Sequence, residues 1–195
     1  MAWVCCICDK NDSLTATCYF LKMVTTQYNS KIQGWMSDAG GEYKSKAFND
    51  MLKEQGIYIF QSAPHTPQQN GRTEHFMCTV MDKSEAMWHD ACIPDSWWEF
   101  SITHATHLYN HTLMCRHNWH TPYEVLNKKQ PDIAHLHVFG CATYVHLHED
   151  VRANKMAPKS ELMVYLGVAP GNDANYLFMR SPNKQCIVHI CTCHF

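Results

Sequence analysis

Ser37-Asp38-Ala39-Gly40-Gly41-Glu42-Tyr43, followed by Ser62-Ala63-Pro64-His65-Thr66-Pro67-Gln68-Gln69-Asn70-Gly71 and then Glu74, decides how this chain is read. Lys31 to Ser37 reads as a short strand ending at Asp38, and Gly40-Gly41 turns the chain behind it. In the second stretch Pro64 and Pro67 block regular structure, and Gly71 permits a sharp bend. A long helix is expected from about Thr73 to His89, which places Glu74 in its first turn. Thirty-five residues lie between Asp38 and Glu74. A strand end and a helix start can bring two carboxylates to one point, and carboxylate oxygens suit a hard cation such as Mg²⁺. Two such ions can activate an attacking hydroxyl and stabilise the leaving oxygen of a phosphodiester. An isolated Asp and Glu at this spacing is more often a pair of solvated surface acids.

Outward from that stretch the pattern alternates between helix and strand. Residues 2 to 8 read as a short apolar strand, and Asp9 to Asp12 as a turn. Residues 14 to 27 read as a helix with Leu14, Cys18, Leu21 and Val24 on one face. Another helix starts near Ser45, carries Phe48, Met51 and Leu52, and stops at Gly56. Ile57 to Phe60 is strand-like. Pro94 suits the first turn of a helix bearing Trp98, Ile102, Ala105 and Tyr109. Thr121-Pro122-Tyr123-Glu124 is a capping box. After Pro131 the period changes to two: Phe139, Cys141, Thr143, Val145 and Leu147 alternate with other residues. Strands are expected at 162–168, 176–179 and 186–193, with a turn at Ser181 to Lys184. Mixed α/β followed by all-β implies two domains with a boundary near residue 130.

Four segments occur in a fixed order: Ser37 to Tyr43, Ser62 to Glu74, Thr121 to Glu124, and His137-Val138-Phe139-Gly140-Cys141. Together they resemble the integrase of copia-type retrotransposons, over nearly the whole chain. The resemblance implies an α/β fold: an RNase H-like core over 1–130 lacking its first strands, then a small SH3-like β-barrel over 136–195. It implies a polynucleotidyl transferase that cuts and joins DNA with a D,D(35)E triad and Mg²⁺ or Mn²⁺. Asp38 and Glu74 match the second and third acids, as catalytic residues and metal ligands. Gln68, Gln69, Asn70 and Gly71 match a DNA-binding loop beside the active site. The implied partners are retrotransposon ends, target DNA and further copies of the chain, in an intracellular, nuclear setting.

The departures matter as much. The first triad aspartate has no counterpart, and Asp9 and Asp12 are the only acids upstream of Asp38. Ala39 stands where the family has Asn. His75, Cys78, His111 and His137 stand where it has Arg. Arginine is scarce, at Arg72, Arg116, Arg152 and Arg180, while the chain holds 14 His, 11 Cys and 6 Trp. Deamination of CGN codons would leave that imbalance. The formal charge of −2 argues against a nucleic-acid surface; reverting the four positions would make it positive. The expectation is an integrase segment without catalytic activity. The alternatives are a non-catalytic DNA- or protein-binding remnant and a relic with no selected role.

Other signals are weaker. No apolar run reaches the roughly 18 to 20 residues of a membrane span, and the first residues lack the pattern of a signal peptide. The cysteines are expected as reduced thiols rather than a disulfide scaffold. His189, Cys191, Cys193 and His194, and Cys5, Cys6 and Cys8, are zinc candidates without the usual C-x₂₋₄-C pair. Trp88, Trp97, Trp98 and Trp119 could stack on bases, though tryptophans at helical spacing are more often core. His65 is read as a variant of a loop tyrosine.

Overall fold

A computed structural model of the chain describes residues 1–37, 40–61, 71–169, 176–180, 186–190 and 193–194. They form two compact units, one of residues 5–78 and one of residues 1–4 with 79–195.

In the 5–78 unit, Asp9 and Asp12 have a local task. Asp9 Oδ1 accepts from the Asn11 N–H at 2.8 Å, and Asp12 Oδ2 accepts from the Asp9 N–H at 3.3 Å, closing a capping box. Helix α1, Ser13–Tyr28, follows and ends where Asn29 turns left-handed at φ 45°. It buries Ser13, Thr17, Leu21 and Val24, close to the expected face; Cys18 is only half-buried. Strand β1, Gly34–Ser37, leads to helices α2, Gly41–Lys44, and α3, Lys46–Glu54. The Ser45 hydroxyl caps α3 by accepting from the Phe48 N–H. Gly56, at φ +70°, ends that helix as expected. Strand β2, Tyr58–Gln61, then pairs parallel with β1. Phe48 and Leu52 are fully buried against Leu21 and Ile57, and the rings of Trp35 and Tyr43 meet Phe48 edge-on. The other face of the β1–β2 pair leaves Met36, Tyr58 and Phe60 exposed. Among the described residues each of these strands has one neighbour only, an open edge of the kind that invites further pairing.

The expected strand at 2–8 is not formed. A strand exists only where its N–H and C=O groups find a ladder, and here one side chain stands in for it. The Asn110 Oδ1 accepts from the Ala2 N–H at 2.8 Å, and its Nδ2 donates to the Ala2 C=O at 2.7 Å. This two-point clamp imitates a β-bridge at one residue and satisfies a buried amide.

Helix α4 spans Gly71–Ala91. A 3-10 turn, Asp95–Trp97, leads into α5, Trp98–Asn110. Helix α6, Pro122–Asn127, has both halves of the expected capping box: the Thr121 hydroxyl accepts from the Glu124 N–H at 3.1 Å, and Glu124 Oε2 accepts from the Thr121 N–H at 2.6 Å. Thr121→Ala should therefore cost about 1 kcal/mol, read as a lower urea midpoint with an unchanged slope. Thr121→Ser should restore most of it.

The remaining strands are β3, Ala142–His146; β4, Ser160–Val168; β5, Tyr176–Arg180; β6, Cys186–Ile190; and β7, Cys193–His194. They form one antiparallel sheet in the order β6-β5-β4-β3-β7. β6 and β7 occupy opposite edges but are only three peptide steps apart, a span of about 11 Å at most. The sheet must therefore roll until its edges come near each other. Among the described residues no β6–β7 ladder closes it into a barrel. The turn expected at Ser181 to Lys184 lies outside the described residues.

The middle of the sheet, residues 163–168 of β4 and 177–179 of β5, is covered on both faces, whereas Tyr144 and Leu162 are exposed. Val145, Met163, Tyr165 and Phe178 pack on the inside. Leu166, Leu177 and Met179 pack outward against Ile93, Trp97 and Phe139. β4 thus reads as a continuous apolar run instead of alternating. One apolar cluster therefore joins residues on either side of position 130, so packing is continuous there. Trp97 is core as expected, whereas Trp98 and Trp119 are exposed at 47% and 66%.

Candidate functional site

The described geometry around the acidic pair comes from the β1–β2 register. Gly34 lies opposite Tyr58 and Ser37 opposite Gln61, so two parallel strands end level with each other. Neighbouring strands are about 4.8 Å apart. Ser37 and Gln61, the last residues of the two strands, are the residues just before Asp38 and before residues 62–70 in the chain. Ligands of open parallel sheets bind at the carboxyl end of the strands. Asp38 lies outside the described residues, as do Gln68, Gln69 and Asn70, and also His65.

Glu74 is in the first turn of α4, as expected, and it is exposed. The helix starts two residues earlier than expected. Gly71 is its first residue rather than a bend before it, and a Cβ there would meet nothing within 4 Å. His75 and Cys78, the two positions read as lost arginines, are exposed on the same helix. Asp9 and Asp12 are committed to their capping box. Cys5, Cys6 and Cys8 are exposed. The side chains of His189, Cys191, Cys193 and His194 lie outside the described residues. Among the described residues no three His, Cys, Asp or Glu side chains are arranged to hold a metal ion, and no helix is long and apolar enough to cross a membrane.

A second concentration of titratable groups was not singled out as one site by the sequence. His104 and His107 lie on α5, His111 caps its C-terminal end, and His135 and His137 lie on the segment leading to β3. His104 is 3% exposed, between the Phe139 ring at 5.5 Å and the Tyr165 ring at 5.8 Å. Its Nδ1 is buried and has no hydrogen-bond partner. A Cβ on Gly167, which has φ +115°, would come within 2.9 Å of that nitrogen, so only glycine admits the ring. Burial, with a smaller contribution from His135, pushes the His104 pKa down to about 4. Burial, then His111, His104 and His135, pushes His107 down to about 3. His137 is lowered for the same first reason.

These shifts fix a pH dependence. A histidine held neutral by the fold favours folding fully above its unfolded pKa of about 6.5 and loses that contribution as pH falls toward the folded value. For His104 the window runs from about 6.5 down to 4, and roughly 2 kcal/mol should be lost by pH 5. With a chelator present, the urea midpoint should fall across that window, and His104→Leu should flatten the fall. A midpoint independent of pH from 7 to 5 would contradict it.

No family model matches the chain. Its homologues are retrovirus-related Pol polyproteins of copia-type transposons. The chain is 29% identical over 165 residues to that of transposon TNT 1-94 from Nicotiana tabacum, covering 85% of this chain and 12% of the polyprotein. It is 28% identical over 166 residues to that of transposon RE2 from Arabidopsis thaliana, covering 85% and 11%. The chain thus spans about one-eighth of the length of these curated relatives. Among solved structures, the catalytic core domain of BIV integrase overlaps 63% of this chain and 74% of its own, with TM-score 0.46 and 21% identity. A simian T-cell lymphotropic virus intasome in complex with a PP2A regulatory subunit gives TM-score 0.49 at 12% identity, covering 93% of this chain and 61% of its own. At those scores the overlap assigns no role to any residue.

Proposed function

We propose that this chain is a segment of a copia-type integrase that engages DNA and does not itself catalyse strand transfer. On this reading residues 1–130 are the core-derived part and 136–195 the SH3-like part, working on DNA in an oligomer, inside the cell and in the nucleus. The supporting observation is the level ending of β1 and β2 at Ser37 and Gln61, the residues that precede Asp38 and the segment leading to Glu74 in the sequence.

The donor set suits the implied ion in kind: Asp38 and Glu74 are hard carboxylate ligands of the sort Mg²⁺ or Mn²⁺ takes. When bound, such an ion supplies Lewis-acid stabilisation of charge at phosphorus. The chain's own residues have more limited tasks. Asp38 and Glu74 would hold the ion. The amides of Gln68, Gln69 and Asn70 can donate to phosphate oxygens or base edges. The two acids upstream of Asp38, Asp9 and Asp12, serve the start of α1.

The DNA-binding part is tested at the positions read as lost arginines beside Glu74. The double variant His75→Arg/Cys78→Arg places two guanidiniums on an exposed helix face. By fluorescence anisotropy with a labelled duplex, it should bind several-fold tighter than the parent. Its log–log salt slope should steepen by up to about 1.8, for two added phosphate contacts. If neither protein shows salt-dependent binding to DNA, this reading fails.

A further inference from the structure

Three imidazoles meet at the C-terminal end of α5. His107 and His111 are four residues apart and share a helix face. A local turn brings His135 to the same place: Asp132 Oδ1 accepts from the Ala134 N–H at 2.9 Å, and the Ile133 C=O from the Leu136 N–H at 3.1 Å. His107 Nε2 and His135 Nε2 then stand 3.4 Å apart. Two nitrogens bound to one tetrahedral ion at about 2.05 Å are about 3.3 Å apart. The ring centres of His107 and His135 are 5.6 Å apart, those of His111 and His135 6.3 Å, and those of His107 and His111 4.1 Å. Three imidazoles bound through Nε2 to such an ion would space their centres at roughly 5 Å.

The tautomer of His111 is set by its partner. Its Nδ1 lies 2.8 Å from the His107 carbonyl oxygen. A carbonyl only accepts, so Nδ1 carries the proton and Nε2 keeps its lone pair. In this position Nε2 is therefore the His111 nitrogen with a lone pair to offer. The negative end of the α5 dipole also favours a cation here.

We propose that His107, His135 and His111 form a binding site for a divalent transition metal of the zinc class. His107 and His135 ligate through Nε2 in nearly their present positions. His111 joins through Nε2 once its ring leaves the stack on His107, and water takes the fourth place. That movement is part of the proposal, since no three such side chains are in coordinating arrangement among the described residues. Imidazole nitrogen suits Zn²⁺, Ni²⁺ and Cu²⁺, whereas carboxylate oxygen suits Mg²⁺, so this site is chemically distinct from Asp38 and Glu74. The bound ion ties the end of α5 to the 132–135 turn.

The chain's many thiols compete for the same metals, so Co²⁺ alone is the first probe. Tetrahedral Co²⁺ on nitrogen absorbs in the visible, whereas thiolate ligation adds a near-ultraviolet charge-transfer band. The first equivalent should give the visible band without the charge transfer, and Zn²⁺ should displace it. His135→Gln should weaken binding at least about tenfold, and His111→Gln, at the helix end, should weaken it by a smaller factor. His137→Gln should leave it unchanged. Full affinity in His135→Gln or His111→Gln with native near-ultraviolet circular dichroism would overturn the proposal. So would a thiolate band at the first equivalent.

Discussion

Incubated with a nicked or blunt duplex and Mg²⁺ or Mn²⁺, the purified 195-residue chain is expected to cut and join DNA no faster than its own Asp38→Asn and Glu74→Gln variants. The expectation follows from what the carboxylates can do. An in-line displacement at phosphorus needs both the attacking and the leaving oxygen held and charge-compensated at a fixed separation. Asp38 and Glu74 supply one carboxylate each, whereas bridging two ions takes a further carboxylate shared between them. Water can complete a coordination sphere but brings no charge and fixes no distance. Residues that act as a unit lose most of the rate when one member is gone, so a deficit of several orders of magnitude is expected. The only upstream acids, Asp9 and Asp12, hold the N–H groups ahead of α1 and would have to give up that box to serve. Metal-dependent cleavage abolished by both single substitutions would refute the claim. It would also point to a third ligand among the residues around Asp38.

Elements whose signals are local were legible in the sequence. The Thr121 capping box, the Gly56 stop and the alternation from Phe139 to Leu147 appear where the residues put them, because each depends on neighbours within a few positions. The strand expected at 2–8 failed for the opposite reason. Its residues have strand character, but pairing is a property of the partner, and at Ala2 the Asn110 amide takes the place of a neighbouring strand. Strand β4 gave a continuous run rather than alternation because both its faces are covered, which depends on α5 and cannot be read from β4 alone. The position of Glu74 was readable from the helix start. The level ending of β1 and β2 was not, since register between strands 20 residues apart is set by packing on α1 and α3. The histidine group was missed as a group because His111 and His135 approach only when the 132–135 turn folds onto α5. In the sequence His111 and His137 read singly, as replaced arginines.

Gly140 offers the sharpest test of how the sheet is seated. It has φ +82°, and a Cβ built there would lie 2.3 Å from Ala91 Cβ and 3.0 Å from Ala91 Cα, at the end of α4. Its N–H donates to the Tyr165 C=O at 2.9 Å, so it cannot swing away without breaking the entry of the chain into β3. Gly140→Ala therefore meets two costs. The left-handed backbone costs about 1 kcal/mol for a residue with a Cβ. The overlap forces α4 and the sheet apart across the cluster of Ile93, Trp97, Phe139 and Leu166, for which about 1 to 3 kcal/mol is typical. A total of roughly 2 to 4 kcal/mol is a large part of the stability of an ordinary domain, and soluble yield should fall with it. Gly56→Ala isolates the first cost: it too has a positive φ, +70°, but nothing lies within 4 Å of its Cβ, so about 1 kcal/mol is expected. Ala91→Gly isolates the second, because it removes the atom that Gly140→Ala strikes. Added to Gly140→Ala it should recover stability, although Ala91→Gly alone should weaken the helix end by up to about 1 kcal/mol. That reversal of sign in a double-mutant cycle is the signature of direct contact. Equal costs for Gly140→Ala and Gly56→Ala, with no coupling to Ala91, would show that α4 does not rest against the turn into β3.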